Sequence, residues 1–231
     1  MAAEYQIFLV NESVRPQVFS CFLQPPAELL GDVEVYANSG VSLLVEPNSP
    51  SMDAFTLYDQ YLLGAGSSRA AVEPRAILRS TIELPASLRN RFLATFAEIP
   101  PPQNPLLDLL GNGAGSQRIR VRTNAYDQEE NHAHGWFEHL SFGISTHQGF
   151  SGVTWSPTPR ERWTFTPSPA VHLVAGDLLP NQLIPWQEIA GNSGVVSIPD
   201  SFSLRKATAT YSSRGLWEIS PGAPRSGQDI L

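Results

Sequence analysis

The chain has 231 residues and a mass of 25.3 kDa, enough for one medium-sized domain with its own core. Apolar residues make up 42% and charged residues 16%, which excludes a disordered chain and a charge-patterned coiled coil. The formal charge of −7 speaks against nucleic acid and against an anionic membrane as partners, because both need a basic surface to neutralise phosphates.

Twenty prolines and seventeen glycines interrupt the chain too often for long helices and favour short strands joined by turns. In chain order, apolar alternation predicts strands at 5–10, 18–23, 33–37, 41–45, 55–62 and 76–84. In the last of these, Leu78, Ile82 and Leu84 share a face opposite Arg79 and Glu83. A short helical insertion is expected over about 86–110. Leu88, Phe92 and Phe96 recur every four residues, and Asn104-Pro105 reads as an N-cap with proline at the first helical position. Pro100-Pro101-Pro102 and the glycine-rich 111–116 punctuate this piece, so 86–117 is read as an insertion within one domain covering 1–219. Strands resume at 118–123, 136–145, 153–155, 162–166, 170–174, 194–198, 202–211 and 215–219, and 220–231 reads as a flexible C-terminal tail. Many short strands with frequent turn signals predict an all-β chain, a single-domain β-sandwich or flattened β-barrel.

No apolar stretch approaches the roughly 18–20 residues of a membrane span, and residues 1–5 lack the features of a signal peptide. Cys21 is the only cysteine, so no intrachain disulfide forms, and a cytoplasmic protein is expected. Alternation places Cys21 beside Phe19 and Leu23, which reads as a buried inert thiol. Asn11-Glu12-Ser13 fits a glycosylation sequon that is idle without secretion. Lys206 is the only lysine, which leaves Schiff-base chemistry one candidate in an ordinary strand.

Chemistry concentrates in residues 126–139, where His132, His134 and His139 fall among Asp127, Glu129, Glu130 and Glu138. With 136–145 as a strand, Trp136, Glu138, Leu140, Phe142 and Ile144 share the apolar face, and an extended 132–135 adds His132 and His134. A carboxylate on such a face has to be neutralised, paired or metal-bound, because an isolated buried charge costs several kcal/mol. Three readings stay open. Glu138 lies at the solvent end of its strand or is a structural ion-pair partner of Arg118, Arg120 or Arg122; or it is a catalytic acid–base group of raised pKa with His134 as its partner. In the third, a metal is held by His132, His134 and Glu138, the ligand set of non-haem iron sites. His132-x-His134-xxx-Glu138 resembles the first cupin motif, but Tyr126 stands where the motif has glycine, Gly143 comes two residues early, and a second motif around His172 is missing.

Arg118, Arg120 and Arg122 alternate strictly, so their guanidiniums line one strand face, solvated or facing an anionic ligand. Trp136, Trp155 and Trp163, with Tyr126 and Phe142, are core or pocket aromatics, and with Arg120 they are the expected substrate contacts.

Three stretches together resemble a family of small fungal and bacterial all-β proteins, among them the rhizosphere-induced RhiA-like proteins. The first is Tyr5-Gln6-Ile7-Phe8-Leu9-Val10-Asn11-Glu12-Ser13, with Phe22-Leu23-Gln24-Pro25-Pro26 and Val35-Tyr36-Ala37-Asn38. The second is Leu140-Ser141-Phe142-Gly143-Ile144-Ser145-Thr146, and the third Trp155-Ser156-Pro157-Thr158-Pro159 with Trp163-Thr164-Phe165-Thr166-Pro167 and His172-Leu173-Val174-Ala175-Gly176. The resemblance covers about half the chain and implies an intracellular or leaderless β-sandwich-like domain, from a family most of whose members have no assigned activity.

Two functional classes follow. One is a cofactor-independent enzyme of specialised metabolism: a cyclase, isomerase, dehydratase or cycloaddition catalyst, with an apolar polyketide or terpenoid held in an aromatic pocket reaching Glu138. It needs no cofactor, and a homodimer is compatible with it. The other is a non-catalytic small-molecule- or glycan-binding β-sandwich, with a filled core and an exposed binding edge.

Overall fold

β-Branched and aromatic residues alternating with small polar ones commit about half of the described residues to strands. The computed structural model of the chain describes residues 3–49, 52–98 and 104–224. In order, the elements are β1 (Glu4–Asn11), β2 (Gln17–Leu23), α1 (Ala27–Asp32), β3 (Tyr36–Ser39), β4 (Ser42–Val45) and β5 (Ala54–Ser68). Then come β6 (Ile82–Ala86), β7 (Asn90–Thr95), β8 (Leu106–Asn112), β9 (Ile119–Thr123), α2 (Gln128–Ala133), β10 (Phe137–Thr146) and β11 (Gly149–Trp155). The remainder is β12 (Arg162–Phe165), β13 (Ala170–Ala175), β14 (Ile184–Pro185), α3 (Trp186–Gly191), β15 (Gly194–Ser197), β16 (Lys206–Tyr211) and β17 (Trp217–Pro221).

The strands form three sheets that do not close into a barrel. The largest runs β14-β3-β11-β10-β5-β1-β16-β17, with β6 also paired to β5. Two four-stranded sheets, β15-β13-β2-β4 and β12-β9-β7-β8, complete an all-β, sandwich-like architecture. Pairing is antiparallel apart from β1 with β16 and β7 with β9. One apolar cluster joins all three sheets, with Ile7, Phe55 and Phe142 from the large sheet, Phe19 and Leu173 from the second, and Phe92 and Trp163 from the third.

The expected helical insertion is instead strand. Phe92, Ala94 and Phe96 are buried while Leu93 and Thr95 lie toward the surface, so burial repeats every two residues. Phe92 and Phe96 satisfy both a four-residue and a two-residue spacing; Ala94 decides for the second, and Leu88 is 38% exposed. The 106–110 piece is strand as well, paired through β8 to β7, with Leu110 at a register shift. Pro100-Pro101-Pro102 lie outside the described residues. Residues 76–84 are not one strand either: β5 continues to Ser68, and the chain crosses the outer face of the large sheet before β6 begins. The Leu78 carbonyl accepts a hydrogen bond from Asn38 Nδ2 (3.1 Å) during that crossing. The proposed tail begins inside β17, and 225–231 lie outside the described residues.

Among the described residues no helix is long and apolar enough to cross a membrane. Asn11 of the sequon is buried, and its amide donates to the Arg15 and Val45 carbonyls at 2.8 and 2.9 Å, which leaves no N–H for a glycan.

Candidate functional site

Glu138 enters the interior near the start of β10 and is fully buried, as its apolar face requires. Its neighbours come from α2 and not from an extended segment. Asp127 caps this helix by accepting from the Glu130 N–H at 2.9 Å, and Gly135, at a φ of 64°, turns the chain out of it. One helical turn carries Asn131 inward, and its Nδ2 donates to Glu138 Oε1 at 2.8 Å. The same turn brings His132 Nε2 to 3.3 Å from Glu138 Oε2, and neither atom has another hydrogen-bond partner among the described residues.

This geometry corrects the expected pairing. His134 sits at the end of the helix with its ring exposed, and Nδ1 lies 2.9 Å from the Glu130 carbonyl and 3.5 Å from the Glu130 carboxylate. His132, on a different side of the same helix, is the histidine that meets Glu138. The set His132, His134 and Glu138 therefore does not converge, and among the described residues no group of three metal-ligating side chains is assembled. The helix separates the two histidines that an extended chain would have aligned. Nor does Glu138 pair with Arg118, Arg120 or Arg122, since its one charged-type contact among the described residues is His132.

Burial pushes the Glu138 carboxyl up to about 7, against the opposing pull of its own backbone N–H and the Asn131 amide. Burial pushes His132 down. The two shifts favour one shared proton, with a neutral carboxyl Oε2–H donating to a neutral imidazole Nε2. Tyr126 is buried beside this pair, its hydroxyl donates to the Pro157 carbonyl at 2.8 Å, and burial and the Glu138 charge both push its pKa up.

The expected aromatic pocket is a packed core. Phe142 stacks on Tyr61 at 5.5 Å and meets Phe165 edge-on at 4.8 Å. Trp155 and Trp163 are buried against each other at 6.1 Å. Trp136 lies under the Arg69 guanidinium, 5.7 Å from its ring, while Arg69 donates to the His134 carbonyl at 3.0 Å. None of the four principal pockets has Glu138, Phe142, Trp155 or Trp163 in its wall. Tyr126 lines an open groove with Gln128 and Arg160, and Arg120 lies on the outer face of the four-stranded sheet β12-β9-β7-β8.

A different site forms on the outer face of the large sheet. Gly143 and Gly152 are cross-strand neighbours there, and a Cβ on either would collide with the Phe150 ring, so the two glycines form a bed for that ring. Beside Phe150 a polar pocket of about 340 Å³ opens between β3, the β10–β11 turn and the 79–83 crossing. Arg79, Ser80 and Glu83 form one wall; Asn38, Gln148 and Asn181 form the other. Asn38 is 2% exposed, and its Nδ2 donates to the Leu78 carbonyl and to Thr154 Oγ1, at 3.1 and 2.9 Å. The carbonyl partner fixes the amide orientation, and Oδ1 is left as a buried acceptor without a donor among the described residues. Such an atom calls for a donor that the described residues do not supply.

Sequence reasoning did not find this pocket, since its walls come from four distant segments. The available signal was the set of glycines inside strands at 64, 66, 143 and 152, which announces close approach across a sheet face.

No family model matches the chain. No curated protein and no solved structure matches it at a significant level either, and nothing in these comparisons bears on the resemblance to RhiA-like proteins.

Proposed function

We propose that this chain is a non-catalytic β-sandwich binding protein whose polar pocket takes a small hydroxyl-rich ligand of the monosaccharide type. The observation that carries this reading is Asn38, a pocket-lining residue whose Oδ1 is a buried acceptor with no donor among the described residues. The walls offer amides, a hydroxyl, one carboxylate and one guanidinium, so donors and acceptors are mixed as vicinal hydroxyls require. Phe150 supplies an apolar ring at the rim, and the volume lies at the small end of ligand sites. This chemistry supports a polar ligand in place of an apolar polyketide or terpenoid. Thermal denaturation of the purified protein against neutral monosaccharides tests it. A saturable rise in Tm with at least one sugar is expected, lost in Glu83→Gln with Gln148→Ala. No saturable rise across the panel overturns it.

A second reading rests on the Glu138–His132 contact. A buried carboxyl near pKa 7 against a neutral imidazole is a proton donor–acceptor pair suited to a cofactor-independent cyclase, isomerase or dehydratase. Tyr126, which borders both this pair and the open groove, is where a substrate would reach it. Glu138→Gln separates the readings: it leaves sugar-dependent stabilisation intact if the polar pocket is the functional site.

A further inference from the structure

The outer face of the sheet β12-β9-β7-β8 carries four arginines in a chain whose net charge is −7. Arg162 of β12 stands directly opposite Arg122 of β9, and Arg91 of β7 is in register with Arg120 of β9. Arg120 and Arg122 are two residues apart on one strand and so share that face. All four border a single small cavity of about 120 Å³, closed on one side by Leu110.

The arrangement works against the fold. Like charges placed directly across a sheet destabilise it, and each pair here could be relieved by a neighbouring carboxylate. Among the described residues none of the four has one: the ion pairs that form are those of His132 and His134. Arg120 Nε donates to Thr164 Oγ1 at 3.1 Å, which steadies one guanidinium beside the cavity. Arg91 Nη2 donates to the Leu110 carbonyl at 3.5 Å, and its Nε is buried without a partner among the described residues. Four guanidinium-bearing residues around one cavity, with no carboxylate paired to them among the described residues, match a tetrahedral dianion, which accepts from several guanidiniums at once.

We propose that this cluster is a binding site for a phosphate group, with Arg91, Arg120, Arg122 and Arg162 as its donors. The cavity accommodates one such group and not an extended polyanion. The site stands on a different sheet from the polar pocket and does not depend on what that pocket binds.

The test uses the full chain, with inorganic phosphate and phenyl phosphate as probes and sodium chloride at matched ionic strength as control. Thermal denaturation is expected to show a saturable rise in Tm of several degrees with phosphate and little with chloride. A tighter response to phenyl phosphate assigns the site to a phosphate monoester, and an equal response assigns it to the free anion. R120Q/R122Q is expected to remove the phosphate response while its Tm without phosphate equals or exceeds the parent's at low salt, because the repulsion is gone. R162Q, on a neighbouring strand, is expected to weaken phosphate binding at least tenfold by calorimetry, and it keeps the test open should the double variant fold poorly. Equal stabilisation by chloride and phosphate, or a phosphate response that survives in these variants, overturns the proposal.

Discussion

Replacing Glu138 by glutamine is expected to change stability in a way that depends steeply on pH. Burial raises this carboxyl from 4.5 in the unfolded chain to about 7 in the folded one, so the native state binds the proton more tightly. Its contribution is fully present below pH 4.5 and is lost as pH rises through about 7. At about 1.4 kcal/mol per pH decade, the loss amounts to about 3 kcal/mol above neutrality. Glutamine does not titrate; its carboxamide keeps the Asn131 contact and presents an N–H to His132 Nε2. The difference in unfolding free energy between the Glu138→Gln variant and the parent should therefore shift by about 3 kcal/mol in favour of the variant between pH 4.5 and pH 8. His139 is present in both proteins, and its own titration cancels in the difference. Urea unfolding followed by tryptophan fluorescence across that range reads it directly. A difference that stays flat with pH, or that moves against the variant as pH rises, refutes a buried carboxyl held protonated in the fold.

His139, fully buried on the opposite face of β10, is pushed down to about 4 by burial, so its contribution is present above 6.5 and lost as pH falls toward 4. His139→Gln is expected to lower the pH midpoint of acid unfolding. Gly66→Ala places a methyl against the His139 ring and should cost about 1–3 kcal/mol in chemical denaturation. Phe92→Ala should cost about 3–5 kcal/mol and Leu88→Ala under about 1 kcal/mol, a contrast that a helical 86–97 would not give. Burial pushes the Cys21 thiol up to about 12, so a thiol reagent at mildly alkaline pH should label the native protein far more slowly than the urea-unfolded one.

The strands that alternate cleanly were legible from the sequence: 5–10, 18–23, 118–123 and 136–145 match β1, β2, β9 and β10 within a residue or two. The reading failed where one pattern serves two periods. Phe92 and Phe96 fit a helix and a strand alike, and only pairing with β8 and β9 selects the strand. It failed in the opposite sense at 128–133, where a run of charged and polar residues carries no apolar period and the helix is set by the Asp127 cap and Gly135. That one misreading also exchanged His134 for His132. Burial of Glu138 followed from its position among Leu140, Phe142 and Ile144; the identity of its partner did not, because it depends on a helical turn.

The parallel pairing of β1 with β16 sets a constraint on biogenesis. Gln6 aligns with Lys206, two hundred positions away, so a nascent chain emerging from a ribosome exposes one flank of β1 until β16 has been translated. Such a strand is an open invitation to other unfinished chains, and shielding by a chaperone during translation would govern the yield of this protein more than its final stability does.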